Sequence, residues 1–254
     1  IIIGIGMLAG IWIAQSDAKR RGQDPELYLD FALYAIICSI IGARIYYVIF
    51  EWDYYKENLL QIFNLRAGGL AIYGGVIAGA ITMIVYTRVK KVSFFSMADT
   101  GVLGLVTGQI IGRWGNFFNC EAFGGYTDSL LAMRIRRSLV NDNMLNADVL
   151  SHKIVENGVE FIQVHPTFLY ESCWNLCLLI FMLWFRKYKK YDGQMFWIYL
   201  LGYGTGRFWI ESLRTDQLIL FGTGLPVSQA LSLVLILVAA GNLIWRGRKN
   251  RQAA

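Results

Sequence analysis

The chain has 254 residues, of which 56% are hydrophobic, 15% aromatic and only 17% charged. Soluble domains carry about a quarter charged residues, so this balance excludes an ordinary soluble domain and favours a membrane protein. The net charge of +6 is not a nucleic-acid signal, because more than half of the 24 Lys and Arg sit in short clusters beside apolar stretches.

Seven stretches approach the roughly 20 apolar residues needed to span a bilayer. They cover about 1–16, 27–50, 69–87, 97–115, 167–185, 194–213 and 226–245. The first begins at Ile1 without a Met, and the natural N-terminus is expected further upstream. None shows the small-residue cleavage site of a signal peptide, so all seven read as mature spans. The predicted fold is therefore an all-α integral membrane protein, one domain over 1–254, with seven transmembrane helices and a small external head. Basic clusters at Lys19-Arg20-Arg21, Arg88/Lys90/Lys91, Arg186/Lys187/Lys189/Lys190 and Arg246/Arg248/Lys249/Arg251 follow spans 1, 3, 5 and 7. By the positive-inside rule the N-terminus lies outside and the C-terminus in the cytoplasm.

Span 2 carries Arg44 in GARIYYVIF, a candidate lipid-binding cation with a structural anchor as the equal alternative. Residues 51–67 mix Trp52, Tyr54 and Tyr55 with Leu59, Leu60, Ile62 and Phe63, which suits an interfacial amphipathic helix. Gly75 with Gly79, and Gly104, Gly108 and Gly112, recur at helical spacing and predict close helix packing through small faces.

Span 4 ends in GRWGNFFNCEAFG over 112–124. Arg113, Asn116 and Glu121 fall at the edge of an apolar span, where ionisable groups persist mainly to handle something polar. The other reading of Arg113, a cation snorkelling from a helix end, is weakened by Asn116, Asn119 and Glu121 beside it. Residues 116–165, between spans 4 and 5, are polar enough for the external head. Within it, Asn157-Gly158 between β-prone arms over 153–164 is the strongest short hairpin signal. His165-Pro166-Thr167 then opens span 5, with Pro166 at the first helical turn.

Four cysteines give no disulfide scaffold; Cys38, Cys173 and Cys177 read as small core residues and Cys120 as incidental. With only His152 and His165, zinc-based intramembrane chemistry and a metal site are not expected. In span 6, Gly202, Gly204 and Gly206 weaken the helix and could open the backbone near Arg207. Arg207 and Glu211 lie at i, i+4 and share a face, either neutralising each other or acting together. Arginines converging at one membrane face suit a phosphate, which guanidinium meets bidentately. A basic cavity reached from the bilayer implies a phospholipid.

GRWGNFFNCEAFG resembles the signature segment of bacterial phosphatidylglycerol–prolipoprotein diacylglyceryl transferases. So, in order, do GGLAIYGGVIAG (68–79), SFFSMADTG (93–101), HPTFLYES (165–172) and YGTGRFWIESLR (203–214). The resemblance implies transfer of the diacylglyceryl group of phosphatidylglycerol to the lipobox cysteine thiol of prolipoprotein signal peptides, releasing glycerol phosphate. It implies Arg113 as the lipid-binding arginine, with Asn116 and Glu121 beside it, and Arg207 with Glu211 as a second essential pair. Tyr203, Asp99 and Glu171 match further polar positions. Many members carry His where this chain has Tyr73. A phenol with pKa near 10 is a poor base, so Tyr73 either hydrogen-bonds the lipid or is activated by an arginine, and Glu121 and Glu211 are alternative bases. The candidate catalytic set is Arg113, Arg207, Glu211, Glu121 and Tyr73, with Arg113, Asn116, Tyr203 and Arg44 binding lipid. No cofactor is needed, nucleic acid is not a partner, and a monomer in the bacterial cytoplasmic membrane is expected. The competing reading is a phospholipid transporter or scramblase with an arginine-lined pathway, although no inverted repeat is evident.

Overall fold

A computed structural model describes residues 1–219 and 224–252. Nine α-helices stand among them: α1 Ile2–Arg20, α2 Glu26–Phe50, α3 Trp52–Tyr55, α4 Ile72–Val89, α5 Phe94–Phe118, α6 Ala147–Ser151, α7 Thr167–Phe185, α8 Gln194–Glu211 and α9 Val227–Gln252. Three short strands, β1 Met133–Arg136, β2 Ile154–Glu156 and β3 Val159–Val164, accompany them. A long helix occupies each predicted apolar stretch. All three prolines, Pro25, Pro166 and Pro226, stand immediately ahead of α2, α7 and α9, where a missing N–H loses no helical bond.

Among the described residues, five helices (α2, α4, α5, α7 and α9) are long and apolar enough to cross a membrane. On α2, Leu33, Ile37, Ile41 and Ile45 form an i, i+4 stripe, each more than half exposed. A stripe of that kind is unfavourable in water and natural against lipid. Cys173 and Cys177 are exposed on α7 rather than in the core. A spanning helix is apolar on its lipid face as well as its packed face, so residue type does not separate the two.

The chain divides into two compact units, Ile1–Ile13 with Val102–Ala254, and Ala14–Gly101. In the first, Val102, Leu103, Val106, Leu178, Leu179, Met182, Met195 and Tyr199 form the helical core. Gly104 and Gly108 face Gly10 and Gly6, and a Cβ on Gly10 would lie 2.6 Å from the Gly104 carbonyl oxygen. The packing expectation thus holds there but not at Gly112, where a Cβ meets nothing within 4 Å.

Helix α8 runs unbroken through Gly202, Gly204 and Gly206, against the expectation of an opened backbone. These glycines make room for neighbours: Leu178 lies against Gly202, Trp174 against Gly206, and the Ser232 carbonyl against Gly204. Trp174 Nε1 donates to the Gly202 carbonyl at 2.8 Å, closing α7 onto α8.

The head has its own core of Phe123, Ile135, Val140, Val149, Ile162 and Val164. Its sheet has the order β1-β3-β2, all antiparallel. The predicted hairpin is β2–β3, with Asn157 (φ 51°) and Gly158 (φ 77°) in the left-handed region that a type I′ turn requires. Strand β1, which pairs Met133 with Val164 through Arg136 with Phe161, was not anticipated.

In the second unit, α2 and α4 approach through Gly42 and Gly74; a Cβ on Gly42 would lie 2.8 Å from the Gly74 carbonyl oxygen. The predicted amphipathic helix over 51–67 is instead α3 followed by 3-10 turns at Leu59–Phe63 and Leu65–Ala67. Arg44 explains the break. Its guanidinium takes the carbonyls of Gln61, Ile62 and Asn64, which a continuous helix would need for its own hydrogen bonds.

Candidate active site

Three elements of the first unit supply the charged groups. Arg113 stands near the end of α5, Glu171 in the first turns of α7, and Arg207 with Glu211 at the end of α8. Glu171 joins them: Arg113 Nη2 pairs with its Oε2 at 2.6 Å, and Arg207 Nη1 donates to its Oε1 at 3.0 Å. Arg207 Nη2 lies 2.5 Å from Glu211 Oε2, so the predicted i, i+4 pair forms but is half of a larger cluster. Ser228 Oγ, on the first turn of α9, donates to Glu211 Oε1 at 2.5 Å.

Arg214 adds a third cation, with Nη1 4.0 Å from Glu171 Oε1 and a two-pronged pair to Asp216 at 2.9 and 2.7 Å. Burial alone would raise the Asp216 carboxyl, but the hydrogen bonds and charge of Arg214 outweigh it and hold the pKa below its usual value. The same pairing overcomes burial at Arg214 and raises that group. Three arginines face three carboxylates, and Glu171 and Glu211 are only 4% and 2% exposed. Buried charges persist when paired and hydrogen-bonded, as every carboxylate here is.

The signature segment folds back on itself after α5. Glu121 Oε1 accepts from Asn116 Nδ2 at 3.0 Å and Asn119 Nδ2 at 3.1 Å, while its backbone N donates to the Asn116 carbonyl. Cys120 and Ala122 adopt φ of 53° and 55°, a left-handed conformation that non-glycine residues take at a cost of about 1 kcal/mol or more each. The surroundings hold it. Thr167 Oγ1 donates to the Ala122 carbonyl, Gly124 N to His165 O at 3.0 Å, and Gly125 N to Leu213 O at 2.9 Å. A Cβ on Gly124 would lie 2.7 Å from both His165 Cβ and Leu213 O, so only glycine fits between these strands of chain. Burial lowers the His165 pKa, and its Nδ1 lies 3.3 Å from the Tyr170 hydroxyl.

The structure therefore brings together Arg113, Arg207 and Glu211, and separately joins Asn116 to Glu121. Tyr203 stacks on Tyr199 at 5.6 Å, and Tyr199 receives the Gln109 amide at 2.8 Å. Arg44 and Tyr73 belong to the second unit. Arg44 is 6% exposed and donates all five N–H groups to backbone carbonyls of Gln61, Ile62, Asn64, Gly68 and Gly69. Tyr73 is the second residue of α4 and partly buried. Glu171 is central to the cluster, and Arg214 and Asp216 belong to it, neither role being evident from the sequence. The available signal was a lone carboxylate inside the apolar run of α7.

Membrane-length helices together with a buried arginine–carboxylate cluster at their ends define a helical membrane protein with an internal polar centre. The chain belongs to the prolipoprotein diacylglyceryl transferase family, whose model matches residues 1–245. It is 43% identical over 251 residues to the phosphatidylglycerol–prolipoprotein diacylglyceryl transferase of Clostridioides difficile, covering 99% of this chain and 91% of that protein. It is 42% identical over 253 residues to the enzyme of that name from Bacillus cytotoxicus, covering 100% and 88%. A Geobacillus kaustophilus enzyme of the same name is 41% identical over 249 residues.

Proposed function

We propose that this chain transfers the diacylglyceryl group of phosphatidylglycerol to the lipobox cysteine of prolipoproteins, the lipidation step of bacterial lipoprotein biosynthesis. The observation that supports this best is Glu171 shared by Arg113 and Arg207, two guanidinium groups held together where apolar helices end. Arg113 and Arg207 hold the lipid phosphate, while Glu171 and Glu211 fix their orientation. The peptide thiolate attacks the glyceryl carbon, a C–S bond forms, and the C–O bond to phosphate breaks. Glycerol phosphate departs with the electron pair. Charge builds on the departing phosphate, so arginines aimed there stabilise the transition state more than the ground state. The thiol loses its proton readily only when the thiolate is favoured, which nearby cations achieve. Glu211 is occupied by Arg207 and Ser228. Glu121 has no arginine partner among the described residues and accepts only amide hydrogens, which leaves it to receive the thiol proton.

Purified protein incubated with labelled phosphatidylglycerol and a lipobox peptide is expected to add one diacylglyceryl mass to the peptide cysteine. Movement of labelled lipid between leaflets without any mass gain would favour a transporter instead.

The chain acts as a monomer in the cytoplasmic membrane, crossing it seven times through α1, α2, α4, α5, α7, α8 and α9. The N-terminus and the 116–165 head face outward and residues 246–254 face the cytoplasm, as the alternating basic clusters support. A cysteine introduced at Asn157 in a cysteine-free background is expected to react with an impermeant reagent in intact cells. Reaction only after the membrane is breached would invert this topology. Tyr73 hydrogen-bonds the lipid head group rather than acting as a base. Tyr73→Phe is therefore expected to keep measurable turnover, with a loss of about 0.5–1.5 kcal/mol in kcat/KM for one hydrogen bond. Complete loss of turnover in a folded protein would make the phenol itself catalytic.

A further inference from the structure

We propose that Arg44 is a positioning residue that fixes the segment leading into α4, and so the place of Tyr73, without itself touching the lipid. The proposal rests on the reading of Tyr73 as a head-group contact. A guanidinium has five N–H groups, and all five of Arg44 are in use, at 2.6 to 3.2 Å from backbone carbonyls. No donor remains for a phosphate. No carboxylate pairs with Arg44 among the described residues, so carbonyl dipoles and the Tyr55 ring, 5.1 Å from the guanidinium carbon, carry the buried charge.

The carbonyls it gathers are the telling feature. Two belong to Gly68 and Gly69, which adopt φ of 86° and 76° and thereby turn both oxygens toward one nitrogen, Nη1. A Cβ on Gly69 would strike that nitrogen and lie 2.8 Å from Tyr47 Cε1, so the glycine and the arginine fit only each other. Two residues later, Ala71 N donates to the Ala43 carbonyl at 3.1 Å, beside Arg44 on α2. Ala71 is the N-cap of α4 and supplies no side-chain cap, so the start of the helix is set by this tether. Tyr73 follows two residues on. Lysine has three N–H groups on a single nitrogen and cannot span carbonyls spread from residue 61 to 69.

The test compares Arg44→Lys, Gly69→Ala and Tyr73→Ala, singly and paired, with Arg113→Lys as the reference for direct phosphate contact. Arg44→Lys and Gly69→Ala are each expected to lower peptide lipidation about tenfold in the natural background but less than about twofold in the Tyr73→Ala background, the non-additivity of residues acting through one group. Inhibition by glycerol phosphate is expected to stay within about twofold of normal in Arg44→Lys and to weaken by about a hundredfold in Arg113→Lys. Additive losses against an impaired Tyr73→Ala enzyme would overturn the proposal while leaving the head-group reading of Tyr73 intact. Weakened glycerol phosphate inhibition in Arg44→Lys would overturn it in favour of direct contact. Full turnover by Tyr73→Ala would defeat the head-group reading and this proposal with it. Failure of both Arg44→Lys and Gly69→Ala to fold would make the tether structural alone and overturn it as well.

Discussion

Arg113→Lys is expected to lower kcat/KM for peptide lipidation by about 3 kcal/mol, roughly a hundredfold, and Arg113→Ala to abolish it. The structure sharpens the reason. Arg113 already gives one prong to Glu171 at 2.6 Å, so its usefulness to a phosphate lies in the second nitrogen and Nε, which a lysine does not have. A lysine at 113 would have to serve both Glu171 and the substrate from a single nitrogen, without a two-pronged contact to either. Space beside the residue supports the assignment, since a Cβ on either Gly112 or Gly115 meets nothing within 4 Å. The side chain is 21% exposed, enough to reach a ligand while keeping its ion pair. A cation that merely snorkels from a helix end would be replaced freely by lysine and tolerated as glutamine. Near-normal lipidation by a folded Arg113→Gln protein therefore defeats the assignment.

The sequence carries the helices and the hairpin because both are written locally. Apolar runs of sufficient length place each long helix, Pro166 marks the start of α7, and Asn157-Gly158 marks the turn between β2 and β3. The convergence of Arg113, Arg207 and Glu211 is legible too, because ionisable groups in apolar runs are few and must meet partners. What stays hidden depends on distant chain. The 51–67 segment has the composition of one amphipathic helix, yet Arg44 removes its carbonyls from across the fold. Strand β1 is only MRIR, too short to show alternation. The three glycines of α8 read as a helix defect until Trp174 and Leu178 are seen filling the space beside them. Glu171 is one carboxylate in α7, and nothing within HPTFLYES reveals that two arginines from α5 and α8 close on it.

That position has the largest expected effect on stability. Glu171 is 4% exposed and is the anion shared by Arg113 and Arg207, whose side chains are only 21% and 17% exposed. Glu171→Gln preserves shape and removes the charge, leaving Arg113 without its paired carboxylate and Arg207 with Glu211 alone. Removing one partner of a buried ionic group costs about 3 kcal/mol or more, because the cation left behind, here Arg113, stays mostly desolvated without its counter-charge. For a chain of this size that amounts to an apparent melting-point drop of roughly 6–12 °C in detergent. The sign of the rescue identifies the cause. An added anion can take the place of the missing carboxylate, so millimolar glycerol phosphate is expected to raise the melting point of Glu171→Gln by more than it raises that of the natural protein. Glu171→Ala, which also opens a cavity, is expected to show the same anion dependence from a lower start. A Glu171→Gln protein that melts with the natural one, or that gains no more from glycerol phosphate than the natural one does, would mean that Arg113 and Arg207 do not rely on this carboxylate.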